Sequence, residues 1–156
     1  MSEPNFRVGD LLLYSGKGVF SRIIQIKTWS KISHCEVYDG LGWSVASRDR
    51  IGVGRYQLRI DGLAAVLRPK GIFKPSRAHA WFRTVDGQKY DWIGLLSFMD
   101  AKRQGKENWR QFCSEFAVRY LRAGGIEPFT SYTDADSVAP GEFLKSQAFT
   151  KTWEAK

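Results

Sequence analysis

The stretch "SHCEVYDGLGWSVAS", residues 33–47, does most to limit the folds open to this chain. Ser33 to Tyr38 read as a half-buried strand, "DGLG" as a turn, and "WSVAS" (43–47) as the return strand of a hairpin. Other short strands are available to join it. "VGDLLLYSG" (8–16) reads as a buried strand ending in a glycine turn, and further strands fit at "VGRYQLR" and "AAVLRP". Between the first strand and the hairpin, "GVFSRIIQIKTWSK" puts Val19, Phe20, Ile23 and Ile24 on one face at helical spacing.

From Pro75 the period changes. "PSRAHAWFRTV" offers a proline and serine at a helix start, followed by apolar positions at helical spacing. "DWIGLLSFMDAKRQG" predicts a second helix in this half and residues 108–123 a third, which Gly124 and Gly125 stop. "SVAPGEFLKS" reads as a last short helix. Strands with one helix first, then helices, is an α+β arrangement. With 156 residues and neither repeat nor linker, a single domain over residues 1–156 is expected.

Composition excludes several classes. The net charge is +8, but the basic residues are dispersed, with no run of five like charges. No helix-turn-helix or RNA-recognition signature accompanies them, so no specific nucleic-acid partner is expected. The charge reads as a solvated basic surface, and attraction to an anionic polymer or membrane surface is the lesser alternative. "DLLLY" and "WIGLLSFM" are too short to span a bilayer, so no transmembrane segment is expected. The first 20 residues lack a basic segment followed by an apolar one. Without a signal peptide, the expected settings are the cytoplasm, a phage-encoded protein or export by a specialised route. There is no C-x-x-C, no H-E-x-x-H and no Cys/His cluster, so neither a metal nor a cofactor is expected. "GVGRYQ" lacks the third glycine of a dinucleotide loop. The two cysteines are expected as free thiols.

Only two histidines are available for cysteine chemistry. His79 lies on the helix at 75–85 and reads as a surface or boundary residue. His34 sits inside the strand at 33–38, directly after Ser33, and alternation sends His34 and Glu36 to one face and Cys35 to the other. Cys35 is therefore assigned to packing. Cys113 heads a helix, where unpaired N–H groups and the dipole favour a thiolate and can stabilise an oxyanion. Position alone leaves two readings open, because Phe112, Phe116 and Tyr120 mark the same helix as mostly buried.

The segments "GDLLLYSG", "SKISHCEVYDG", "QKYDWIGLL", "FCSEFAVRYL" and "SVAPGEFL" resemble, in this order, the circularly permuted, YiiX-like branch of the NlpC/P60 superfamily. These are papain-like cysteine peptidases and amidases in which the histidine strand precedes the cysteine helix. The resemblance runs from about residue 8 to residue 145. It implies a permuted papain-like fold, with a small antiparallel sheet packed against a helical half that carries the nucleophile. It also implies Cys113 as nucleophile and His34 as general base and acid, acting through a thioester. The implied partner is a peptide or acyl substrate, cell-wall fragments among them. Some permuted relatives act on acyl lipids, so a lipid acyl hydrolase or acyltransferase is the alternative. A binding module with little turnover is a third reading.

The residue that orients the histidine departs from that pattern. Similar proteins carry a polar residue on the strand after the histidine strand, and here the matching positions are Ser44, Val45 or Ala46. Glu36 shares the face of His34, but two residues along a strand span about 7 Å, long for a hydrogen bond. Glu36 is ranked first as the third catalytic residue, followed by Ser44 or a backbone carbonyl. Glu115 points roughly 200° around the helix from Cys113 and reads as structural. Tyr90 and Asp91 are expected to shape the pocket or cap the next helix. Tyr14 is expected, from the family alone, to line the cleft.

Overall fold

Four consecutive apolar residues, "LLLY", form the strand on which the sheet is built. In the computed structural model, which describes residues 3–89 and 112–155, β1 (Leu11–Tyr14) is buried at every position. A pleated strand with apolar side chains on both faces needs cover on both. Leu11 and Leu13 enter the main core, and Leu12 and Tyr14 enter a smaller one with Leu63 and Val66.

Around β1 the described residues form a six-stranded antiparallel sheet in the order β4-β3-β2-β1-β5-β6. Its other strands are β2 (His34–Gly40), β3 (Trp43–Arg48), β4 (Gly52–Gln57), β5 (Leu63–Pro69) and β6 (Phe149–Glu154). The predicted hairpin is β2 and β3, with Val37 opposite Val45 and Tyr38 opposite Ser44. Helix α1 (Val19–Thr28) connects β1 to β2. Of its predicted apolar face, Ile24 is buried, and the side chains of Val19, Phe20 and Ile23 lie outside the described set.

Two helices cover the Leu11/Leu13 side of the sheet. Helix α2 (Pro75–Val85) contributes Ala78, Phe82 and Val85, and α3 (Cys113–Ala123) contributes Phe116, Ala117, Tyr120 and Leu121. Phe116 and Tyr120, one turn apart, stack with ring centroids 5.7 Å apart. The glycines after α3 end it as expected. Gly125 takes a left-handed φ of 87°, and a Cβ on Gly124 would fall 2.2 Å from the ring of Phe73. The expected helix at 91–105, with Tyr90 and Asp91, lies outside the described residues, as do residues 108–111 of the expected third helix.

Two expectations change. The helix expected at 137–146 is replaced by two 3-10 turns, Ala135–Ser137 and Pro140–Lys145. Pro140 accounts for the break, because it forces Ala139 into an extended conformation (ψ 149°). The second turn is capped by the Glu142 carboxylate, which accepts the N–H of Ala139 at 2.8 Å. Strand β6 was not expected at all. Its sequence, "FTKTWE", has apolar residues only at Phe149 and Trp153, and most of it is exposed, as suits an edge strand.

Asp10, just before β1, is almost fully buried. It accepts Arg68 Nε at 2.9 Å, Arg68 Nη2 at 2.7 Å and the N–H of Arg7 at 2.8 Å. Asp10→Ala strands the Arg68 guanidinium on β5, and the expected loss is about 3 kcal/mol of unfolding free energy in urea titration. A loss within experimental error would show that the pair does not hold β1 against β5.

Candidate active site

His34 is the first residue of β2 and sits opposite Tyr14, the last residue of β1, so its imidazole lies at the end of the sheet. Cys113 is the first residue of α3, following Phe112 in an extended conformation (φ −88°, ψ 166°). Its thiol is therefore next to N–H groups of the first turn that have no acceptor within the helix. Helix α3 packs on β2 and β3. The start of the strand and the start of the helix meet there, and His34 and Cys113 are hydrogen-bonded.

Glu36, on the same face of β2 as His34, supplies the second contact to the ring. His34 Nε2 lies 3.0 Å from Glu36 Oε1, which leaves Nδ1 for the thiol. The sequence estimate of about 7 Å measured strand positions. The side chains of a histidine and a glutamate extend far enough to cover that gap, so the objection to Glu36 falls. Ser44, the runner-up, donates to Glu36 Oε2. It supports the carboxylate, which in turn holds the imidazole.

Glu36 is fully buried and carries more positive charge around it than the sequence reading anticipated. Arg48 forks onto it, with Nε 2.8 Å from Oε1 and Nη2 3.0 Å from Oε2, and Arg59 Nη2 lies 3.3 Å from Oε1. Arg48 was legible in principle. It lies four residues beyond Ser44 on β3, on the same face by alternation. Arg59 lies past the end of β4 and reaches the site only through the fold; its guanidinium also sits 5.4 Å from the Tyr14 ring. Tyr14 packs beside His34 with ring centroids 5.9 Å apart and donates its hydroxyl to the Arg59 carbonyl at 3.0 Å.

Cys35 needs a correction. It is buried as a packing residue should be, but it also hydrogen-bonds the Cys113 sulfur through its thiol and its backbone N–H. Strand alternation turns it toward α3, and that same turn brings it against the nucleophile candidate. Both cysteines are free thiols. Glu115 pairs with Arg119 one turn along α3, at 3.0 Å. His79 is partly exposed and pairs with Asp39.

The electrostatics favour a thiolate–imidazolium pair. Hydrogen bonds from Cys35 and the charge on His34 hold the Cys113 thiol well below its ordinary range, against the opposing effect of burial. Burial alone would lower His34, yet the Cys113 thiolate and Glu36 overcome it and raise the imidazole to about 9. Burial likewise opposes ionisation of Glu36, and contacts to His34, Arg48 and Ser44 hold it far below the usual carboxylate range. Burial and the neighbouring Cys113 push the Cys35 thiol up, so it stays protonated and donates.

No family model matches the chain, and no curated protein matches it by sequence. Among solved structures it is similar to the crystal structure of the metalloprotein YiiX from Escherichia coli O157:H7. The TM-score is 0.70 at 15% identity, over 96% of this chain and 97% of that one. The chain has a YiiX-like fold. At that identity the likeness concerns the fold alone. A metal ion does not suit the site described above. Among the described residues no group of three or more His, Cys, Asp or Glu side chains is arranged to hold one. Both oxygens of Glu36 are already engaged, and the Arg48 and Arg59 guanidinium groups repel a cation there.

The pairing of His34 stabilises the fold fully below pH 6.5, and that contribution is lost as pH rises through about 9. Glu36→Gln removes the anion behind the imidazolium, so the ring should titrate at a lower pH than in the native chain. Its NMR chemical shift against pH reads this directly. An unmoved titration would mean that Glu36 does not support the charge on His34.

Proposed function

We propose that the protein is a cysteine hydrolase of the permuted NlpC/P60 type, with Cys113 as nucleophile, His34 as general acid and base, and Glu36 as the third residue. The observation that carries this reading is the hydrogen-bonded series from Cys113 through His34 to a buried, ionised Glu36. Geometry of this kind activates a thiol without a metal.

The Cys113 thiolate adds to a carbonyl carbon, and the electron pair moves to the carbonyl oxygen beside the N–H groups at the start of α3. The oxyanion collapses, the bond to the leaving nitrogen or oxygen breaks, and the His34 imidazolium supplies that atom's proton. A thioester to Cys113 and a neutral imidazole remain. His34 then takes a proton from water as the hydroxide adds to the thioester, and Cys113 departs as the thiolate. Glu36 stays ionised throughout and fixes the ring through Nε2. Ser44 and Arg48 keep its carboxylate turned to that task.

The substrate class is a peptide or other acyl compound, cell-wall peptides among them, and the basic character of the chain suits an anionic polymer. Iodoacetamide should alkylate Cys113 at mildly acidic pH far faster than a free thiol. His34→Ala should lose that advantage, by on the order of 10²–10⁴. Muropeptides and phospholipid vesicles offered to the reactive protein should reveal the scissile bond through the product masses. A native Cys113 that reacts no faster than free cysteine would end the hydrolase reading.

A further inference from the structure

Cys35 takes no part in the acyl-transfer steps, yet its thiol is bonded to the nucleophile. The chain has only two cysteines, and the fold brings both into one buried contact as free thiols. The contact joins the second residue of β2 to the first residue of α3. A packing role does not require sulfur at this point; any small apolar side chain fills the space.

We propose that Cys113 and Cys35 form a reversible oxidation site, in which a hydroperoxide converts Cys113 to a sulfenic acid and Cys35 closes it to an intramolecular disulfide. The inference rests on the hydrolase reading in needing a reactive Cys113 thiolate. In the first step the thiolate attacks the terminal peroxide oxygen and the O–O bond breaks. The departing alkoxide or hydroxide takes the proton of the His34 imidazolium, so the peroxide is reduced by two electrons and Cys113 becomes Cys–SOH. The Cys113 charge that helps burial to keep Cys35 protonated is then gone. The Cys35 sulfur attacks the Cys113 sulfur, the S–O bond breaks, and the hydroxide leaves as water with the Cys35 proton. An external dithiol reverses the change by thiol–disulfide exchange. Without a resolving thiol, a sulfenic acid proceeds to sulfinic acid, which dithiols do not reduce.

The test uses the full chain and hydrogen peroxide. The reduced protein is first titrated with iodoacetamide to establish that Cys113 is fast. After peroxide, intact mass should fall by two hydrogen atoms in the monomer, and denaturing alkylation should find no free thiol. Dithiothreitol should restore two alkylatable thiols and the original Cys113 labelling rate. In Cys35→Ser, peroxide should give a sulfenic acid trapped by dimedone and then a gain of two oxygens that dithiothreitol does not remove. The disulfide proposal is overturned if native Cys113 labels fast but peroxide leaves Cys35 alkylatable, gives a disulfide between chains, or produces the same sulfinic acid as the variant. Slow labelling of reduced Cys113 overturns the hydrolase reading, and the disulfide proposal that rests on it falls too.

Discussion

A buried carboxylate is tolerated only when its charge is met, and the arrangement of Cys113, His34 and Glu36 hangs on how that is done for Glu36. Arg48 meets it with a two-pronged contact from the neighbouring strand, and Ser44 fills an acceptor position on the same oxygen that Arg48 Nη2 approaches. The carboxylate is thereby kept ionised in a place where water cannot solvate it. One of its oxygens is still directed at His34. Were Glu36 neutral, the imidazole would lose one of the two partners that stabilise its protonated form, and its support of the Cys113 thiolate would weaken. Hairpin register governs this, because it decides which side chains of β3 lie over Glu36.

The site joins two environments that the sheet keeps apart. Cys113 and Cys35 belong to the core beneath the helices, with Leu13 and Val37, whereas Leu12 and Tyr14 pack in the smaller core on the opposite face. His34 connects them because it stands at the first position of its strand, where an imidazole can pass the end of the sheet. A histidine two positions further into β2 would be confined to one face. Placing Cys113 at a helix end and His34 at a strand end is thus a geometric solution as well as an electrostatic one.

Local patterns in the sequence revealed much of this. The hairpin, β1, α2 and the end of α3 follow from alternation, helical spacing and glycine chemistry. The sequence also singled out Cys113, His34 and Glu36, and the fold brings these three together. What it hid was of two kinds. Pro140 broke a stretch whose apolar spacing suggested a helix, and β6 lacked a periodic signal because an edge strand leaves much of its surface to water. The arginines around Glu36 and the contact of Cys35 with Cys113 depend on tertiary placement. Arg59 shows this best: it lies 23 residues from Glu36 with no local pattern linking them. Glu36 reaches His34 because its side chain spans the gap that backbone rise alone leaves between the two positions.

The composition of the hairpin has a consequence for the order in which the protein acquires its chemistry. His34, Glu36, Ser44 and Arg48 fall within one local hairpin, whose closure costs little loop entropy, whereas Cys113 must be brought from far along the chain. His34 and the groups around Glu36 can therefore assemble first, and Cys113, the other group that raises the imidazole, joins them only when α3 docks. In an incompletely folded chain Cys113 remains an ordinary thiol of modest reactivity. Folding itself thus decides when the Cys113 thiol is charged.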